Sequence, residues 1–210
     1  VIGHTSPSEN IQKRERKIVS QLVKEEQVIV SGLAKGCDVI AHEECMRLAG
    51  KTIAILPSPI NEVLPKEHTK QAKQIVETGG LLISEYYTSP SNPRFEMTKR
   101  YIERDRLQAM FAKVVILIAS YAVKKGDSGA RHAMNKALKY KHQACVMYDE
   151  KQDSHVDEME LNKQFVEAGS VKVLAKAARK NPAFITIDEI AKYRISTLER
   201  VTSTKQDNLF

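Results

Sequence analysis

Two glycines separate a short apolar run from an amphipathic segment within residues 28–48 of this chain. The run Val28–Val30 predicts a buried strand, and the segment after Asp38 predicts a helix. A turn between a strand and a helix N-terminus directs several main-chain N–H groups at one spot, where the helix dipole adds positive charge. Gly32 and Gly36 would let the backbone approach an anion closely, and a phosphate is the simplest such anion. The spacing fits neither the P-loop nor the dinucleotide fingerprint, so an ordinary strand-to-helix turn is the alternative.

Basic and aromatic side chains interleave in residues 94–111. Single-stranded nucleic acid is held by cations that contact its phosphates and by flat rings that stack on its bases. Tyr101 is the candidate ring, and the candidate cations are Lys99, Arg100, Arg104 and Arg106. The alternative is a solvated basic helix face beside a core stripe of apolar residues.

The order of strands and helices determines where these residues meet. Apolar runs and helical periodicities alternate up to residue 174, which predicts the α/β class with a Rossmann-like parallel sheet flanked by helices. The acidic segment 150–160 is predicted to be an exposed loop. We assign residues 1–178 to a single Rossmann-like domain and residues 179–210 to a short helix and a flexible tail. Such sheets bind ligands beyond the carboxyl ends of their strands, where the glycine turns should lie.

The composition favours a polyanionic partner. The 210 residues include 33 Lys or Arg and 26 Asp or Glu, for a net charge of +7, although an ordinary basic protein is the alternative. The three cysteines form no CxxC pair and are interpreted as reduced thiols. No apolar run approaches the roughly 20 residues of a membrane span, and no signal peptide is visible. We therefore expect a cytoplasmic protein with no membrane partner.

The sequence contains no evident constellation for catalysis or metal binding. Asp38 and His42 lie four residues apart on one predicted helix face, and we interpret them as a capping Asp bonded to a nearby His. Because no third ligand accompanies them, no metal and no other cofactor is predicted. Ser31 and Ser128 lack the partners of a triad. No catalytic residue is assigned, and the chain is predicted not to be an enzyme.

Several motifs, in order along the chain, resemble those of the DNA-processing protein A family (DprA, also called Smf). Residues 31–42, SGLAKGCDVIAH, are similar to the family signature SGLARGID-AAH. Residues 101–106, YIERDR, resemble F-P-x-R-N-R, and residues 128–133 resemble SG-x-x-TA. Residues 3–5, GHT, stand where the family has G-S/T-R, so the family's Arg is absent there. Within the other motifs, Lys35 replaces an Arg and Asp105 replaces an Asn.

The resemblance implies a non-enzymatic protein that binds single-stranded DNA in recombination and natural transformation (competence). It further implies a homodimer that delivers the DNA to the RecA recombinase. Together, the turns and the basic segment give a candidate site for DNA and phosphate that comprises Gly3, Thr5, Ser31, Gly32, Lys35, Gly36, Lys99, Arg100, Tyr101, Arg104, Arg106, Ser128 and Gly129.

The end of the chain suggests a second partner. Gln206, Leu209 and Phe210 resemble the peptide that docks in the bacterial sliding clamp, which makes the clamp a candidate partner.

Two other function classes are compatible with the predicted fold. One is a nucleotide N-glycosidase related to the lysine-decarboxylase-like (LOG) group, and the other is a module that senses a nucleotide. Residues 130–135 carry no carboxylate of the kind that cleavage of a glycosidic bond needs, which argues against the enzyme.

Overall fold

A computed structural model describes residues 1–177 and 180–192. In these ranges the helices are α1 Glu9–Lys24, α2 Cys37–Arg47, α3 Thr69–Glu77, α4 Pro93–Phe111, α5 Arg131–Lys139, α6 Glu150–Asp153 and α7 Glu160–Glu167. The strands are β1 Ile29–Ser31, β2 Thr52–Leu56, β3 Leu81–Ser84, β4 Val114–Leu117, β5 Gln143–Val146, β6 Lys172–Leu174 and β7 Phe184–Ile185.

The strands form two parallel groups, in the orders β1-β2-β3 and β4-β5-β6-β7. The first residues of the chain lie between the groups and join them. On one side, the Ile2 N–H donates to the Ile116 carbonyl and the Ile118 N–H donates to the Ile2 carbonyl, both at 2.9 Å. On the other side, the Val1 carbonyl accepts a 2.7 Å hydrogen bond from Ser31 Oγ. The predicted Rossmann-like α/β class is therefore confirmed.

The path of the chain creates a switch point at the centre of the sheet. From the first segment the chain builds β1, β2 and β3 outward in one direction, and α4 then carries it back across the sheet to β4. Parallel sheets of this kind bind ligands in the crevice where the strand order reverses. In this chain the crevice lies beyond Ile2 and β4.

The strands form because they can be buried on both faces. Val115, Ile116 and Leu117 of β4 are almost fully buried, as are Ile55 and Leu56 of β2, and continuous apolar runs are typical of parallel sheets covered by helices. The predicted elements match the observed ones to within about two residues through most of the chain.

The prediction of an exposed loop over residues 150–160 is wrong. This segment contains α6 and a 3-10 turn, Asp157–Met159. The Asp153 side chain is buried and makes two bonds with Arg14, at 2.6 and 2.7 Å. A bidentate pair with an Arg of α1 makes burial of this carboxylate possible, and that pairing could not be read from local composition.

The last described residues add to the sheet. Strand β7 pairs with β6, and residues 187–192 are helical. Gln206, Leu209 and Phe210, which the sequence proposes for clamp binding, lie outside the described residues.

Cys37, Cys45 and Cys145 are all free and buried. Within the described ranges, the helices are too short or too polar to cross a bilayer.

Glu15 of α1 is fully buried in the apolar core. Neither of its carboxylate oxygens has a hydrogen-bond partner of good geometry among the described residues, although the Cys37 thiol lies close by. Burial raises the pKa of Glu15 to about 8, because the charged form is poorly solvated there.

Glu15→Gln is expected to stabilise the protein at alkaline pH. In the wild type, the unfolded chain releases this proton near pH 4.5, whereas the folded protein keeps it to about pH 8. Stability is therefore lost as the pH rises between these values, by at most about 1.4 kcal/mol per pH unit. Urea unfolding at pH 5 and pH 8 measures the difference, with exposed Glu77→Gln as the control. A gain of the same size at both pH values would contradict this assignment.

Candidate nucleic-acid interface

Three turns meet at the carboxyl edge of the sheet, as the parallel order of the strands requires. They are the turn that follows Ile2, the turn between β1 and α2, and the turn between β4 and α5. The turn between β1 and α2 packs on the first segment, where the Cys37 N–H donates to the His4 carbonyl at 3.2 Å. Gly36 has a φ of 71°, and a Cβ there would lie 2.5 Å from main-chain atoms of His4 and Thr5. A Cβ on Gly3 would lie 2.4 Å from Cys37 Sγ. Both positions therefore require glycine for this close approach.

The third turn, between β4 and α5, reaches the same place through one carboxylate. Asp127 Oδ2 accepts a 2.9 Å hydrogen bond from the Thr5 N–H, and Oδ1 accepts a 3.1 Å bond from the Gly129 N–H. The Ser128 hydroxyl accepts a 2.7 Å bond from Arg131. Gly3, Thr5, Gly36, Ser128 and Gly129 are thus brought together at the switch point.

The main-chain donors of the β1–α2 turn are only partly available. The Ala34 N–H donates to Asp38 Oδ2 at 3.3 Å. The N–H groups of Lys35 and Gly36 have no acceptor among the described residues. Ser31 is fully buried, and its hydroxyl donates a hydrogen bond to the Val1 carbonyl. In the structure it is therefore a framework residue, which holds the sheet together.

Arg104 lies inside the protein, with 5% of its surface exposed. Its guanidinium donates to the carbonyls of Gly32 and Ile55. Asp38 and Asp105 lie 3.7 and 3.4 Å from the guanidinium and balance its charge. This side chain fixes the strand ends that carry the turn, and it is not part of an exposed basic rim.

Asp105 is also buried, and it stands where the resembling family has Asn. Burial raises its pKa to about 7, against the opposing effect of Arg104. Gln108 Nε2 donates to Asp105 at 3.0 Å. The carboxyl group is therefore directed inward, toward the guanidinium.

The remaining predicted cations lie at the surface with acidic partners. Lys35 Nζ is 3.0 Å from Glu67, and Lys99 Nζ is 3.6 Å from Glu103. The Arg106 guanidinium binds both oxygens of Glu85, at 2.5 and 2.7 Å. Exposed ion pairs of this kind contribute only about 0–1 kcal/mol, so a phosphate can replace the acidic partner.

The two remaining residues of the basic and aromatic segment are partly buried. Arg100 donates to the Thr88 carbonyl at 2.8 Å and lies 4.3 Å above the centre of the Tyr86 ring. Tyr101 lies 5.6 Å below the Arg104 guanidinium, and burial raises the pKa of its hydroxyl.

Asp38 and His42 do not form the expected pair. Asp38 contacts Ala34 and Arg104, as described above, whereas His42 Nδ1 lies 2.7 Å from the Thr52 hydroxyl. Burial lowers the pKa of His42 to about 3, so the ring is neutral. No cluster of potential ligands suited to a metal ion occurs in the described part of the chain.

Several exposed residues in or beside the predicted segments were not assigned to the candidate site from the sequence. Lys124 and Lys125 are exposed in the β4–α5 turn, immediately before Gly126 and Asp127. Tyr87 and Phe95 are 97% and 74% exposed and flank the start of α4. The KKGDSG segment is a recognisable signal, because it joins two cations to a glycine turn.

A Rossmann-like sheet with glycine turns converging at its switch point defines a class of ligand-binding α/β proteins. Within that class, the chain belongs to the DNA recombination-mediator protein A family, whose model matches residues 1–181. The resemblance drawn from the motifs is thereby confirmed.

Known relatives share both sequence and fold with this chain. Protein Smf of Synechocystis is 32% identical over 118 residues, which cover 56% of this chain and 28% of that protein. The DprA structure from Streptococcus pneumoniae has a TM-score of 0.67 and 25% identity, with 82% of this chain and 56% of that chain covered. The chain thus spans less than two thirds of each of these relatives.

A third relative supports the fold alone. A Helicobacter pylori DprA structure, described by its single-stranded DNA-binding mode, has a TM-score of 0.65 and 24% identity. The alignment covers 93% of this chain and 79% of that chain.

Arg104→Met is expected to destabilise the fold by about 3–5 kcal/mol, because it leaves two buried carboxylates without their cation. Chemical denaturation measures the loss, and exposed Lys99→Met, with an expected change of about 0.5 kcal/mol or less, is the control. Equal, small effects of both substitutions would show that Arg104 is not a framework residue.

Proposed function

We propose that this chain binds single-stranded DNA without chemical conversion, as part of DNA recombination and natural transformation. The observation that carries the proposal is the convergence of three turns at the switch point, where the N–H groups of Lys35 and Gly36 have no acceptor among the described residues and can meet a phosphate. Membership of the DNA recombination-mediator protein A family supports it. The Helicobacter pylori relative, described by its single-stranded DNA-binding mode, has the same fold.

The candidate residues take different parts in this proposal. Gly3, Gly32 and Gly36 let the turns pack closely on one another and on Arg104, which shapes the surface that the DNA would contact. Ser31 and Arg104 hold those turns in place. Thr5, Ser128 and Gly129 line the switch point. The surface cations Lys35, Lys99 and Arg106 and the partly buried Arg100 exchange their protein partners for phosphates, and Tyr101 supplies a ring for stacking.

Such binding depends on charge and not on base sequence. Each phosphate contact releases counterions, so affinity falls as salt rises. Stacking on an aromatic ring adds about 1–3 kcal/mol per base for any base. Homodimerisation, delivery to RecA and binding of the sliding clamp through Gln206, Leu209 and Phe210 are further parts of the proposal, and each needs its own test.

Fluorescence anisotropy with labelled oligo-dT over a series of salt concentrations tests the proposal. The wild type should bind with an affinity that falls steeply with salt. Lys35→Gln should weaken binding and reduce the slope of log K against log salt by about 0.7, the value for one contact to a single strand. Glu67→Gln releases Lys35 from its ion pair and should change affinity in the opposite direction.

Lys24→Gln is the matched control, because this exposed residue ends α1 at the opposite edge of the sheet. It should leave the slope unchanged. Salt-insensitive binding, or equal losses in Lys24→Gln and Lys35→Gln, would contradict the proposed site. Release of a free base from nucleoside monophosphates, detected by chromatography, would contradict a purely binding role.

A further inference from the structure

Asp127 fills the switch point with a negative charge that belongs to the protein. Its two carboxylate oxygens accept hydrogen bonds from the N–H groups of Thr5 and Gly129, at 2.9 and 3.1 Å. Thr5 and Asp127 are 122 residues apart in sequence, and they follow the two strands between which the sheet reverses its order. The Asp127 carboxylate therefore bridges both sides of the crevice.

The charge of this carboxylate is met by main-chain donors. No Lys, Arg or His in the described ranges forms an ion pair with Asp127, whereas other acids near the site, such as Asp38 and Glu67, are paired with cations. Main-chain N–H groups that converge on an otherwise unpaired anion are the arrangement that protein sites use for phosphate. In this chain, the carboxylate takes that place.

The backbone of Asp127 is held independently of its side chain. Its carbonyl accepts hydrogen bonds from the Tyr121 N–H at 3.2 Å and from the Ser120 hydroxyl at 3.1 Å. A rotation about the Cα–Cβ bond would therefore release the N–H groups of Thr5 and Gly129 without unfolding the turn. The Asp127 carboxylate can therefore leave these N–H groups, and another anion can take its place.

We propose that Asp127 determines the specificity of the site by competing with phosphate for the Thr5 and Gly129 donors. A tethered competitor acts at an effective concentration of about millimolar or more. A mononucleotide gains its binding energy largely at this one position and is rejected. A DNA strand contacts the protein at several phosphates and displaces the carboxylate. Displacement of the carboxylate by a DNA strand rests on the proposed function, whereas the rejection of mononucleotides does not.

The test compares binding of dTMP and of oligo-dT by the wild type and by Asp127→Asn and Asp127→Ala. The Asn variant keeps the size of the side chain, and the Ala variant empties the position. Both should bind dTMP at least about tenfold more tightly than the wild type, equivalent to ~1.4 kcal/mol. Asp188→Asn removes the same charge from an exposed position and should change dTMP affinity by less than about twofold.

Unchanged or weaker dTMP binding in both Asp127 variants would overturn the inference. If the variants do not fold, nitrogen-15 NMR of the wild type decides: on addition of oligo-dT, the amide signals of Thr5 and Gly129 should shift together, and unshifted signals in the saturated complex would overturn it. Tighter dTMP binding by the variants, with no binding of oligo-dT by any of the proteins, would support this inference while refuting the proposed function.

Discussion

Residues Val1–His4 lie at the centre of the sheet, and the rest of the structure depends on their hydrogen bonds. They join β1 to β4 through Ser31 on one side and through Ile116 and Ile118 on the other. Without this segment the two groups of strands would share no edge. The carboxyl end of the Val1–His4 segment places Thr5 between the β1–α2 turn and the β4–α5 turn. The same hydrogen bonds that unite the sheet therefore also create the crevice.

The charges around this crevice differ from the overall composition. The chain carries a net charge of +7, yet the site contains the buried carboxylates Asp38 and Asp105, with Arg104 as their buried cation. The partly buried carboxylate Asp127 lies beside them and is held by main-chain N–H groups. Lys35 and Lys99, which the sequence assigns to the site, are exposed and held by weak surface ion pairs. In the proposed function, binding of a polyanion would be an exchange of partners, in which the protein's own carboxylates are the competitors.

Much of the fold and part of the site could be predicted from the sequence. The SGLAKG turn was predictable because its glycines and the apolar run before it act over a few residues. The burial of Arg104 was not, since it depends on Asp38 in α2 and on the carbonyls of Gly32 and Ile55. The Asp127 bridge to Thr5 likewise joins residues that only the sheet topology brings together. Local pattern therefore located the turns, and long-range contacts decided which of their polar groups remain free.

Amide hydrogen exchange, with and without saturating oligo-dT, tests most directly whether single-stranded DNA lies across the three turns. If it does, exchange should slow in residues 3–6, 33–37 and 127–130 and stay unchanged at residues 24–28 on the opposite edge, and the protection should be lost at high salt. Protection that spares all three turns, or that persists unchanged at high salt, would contradict it.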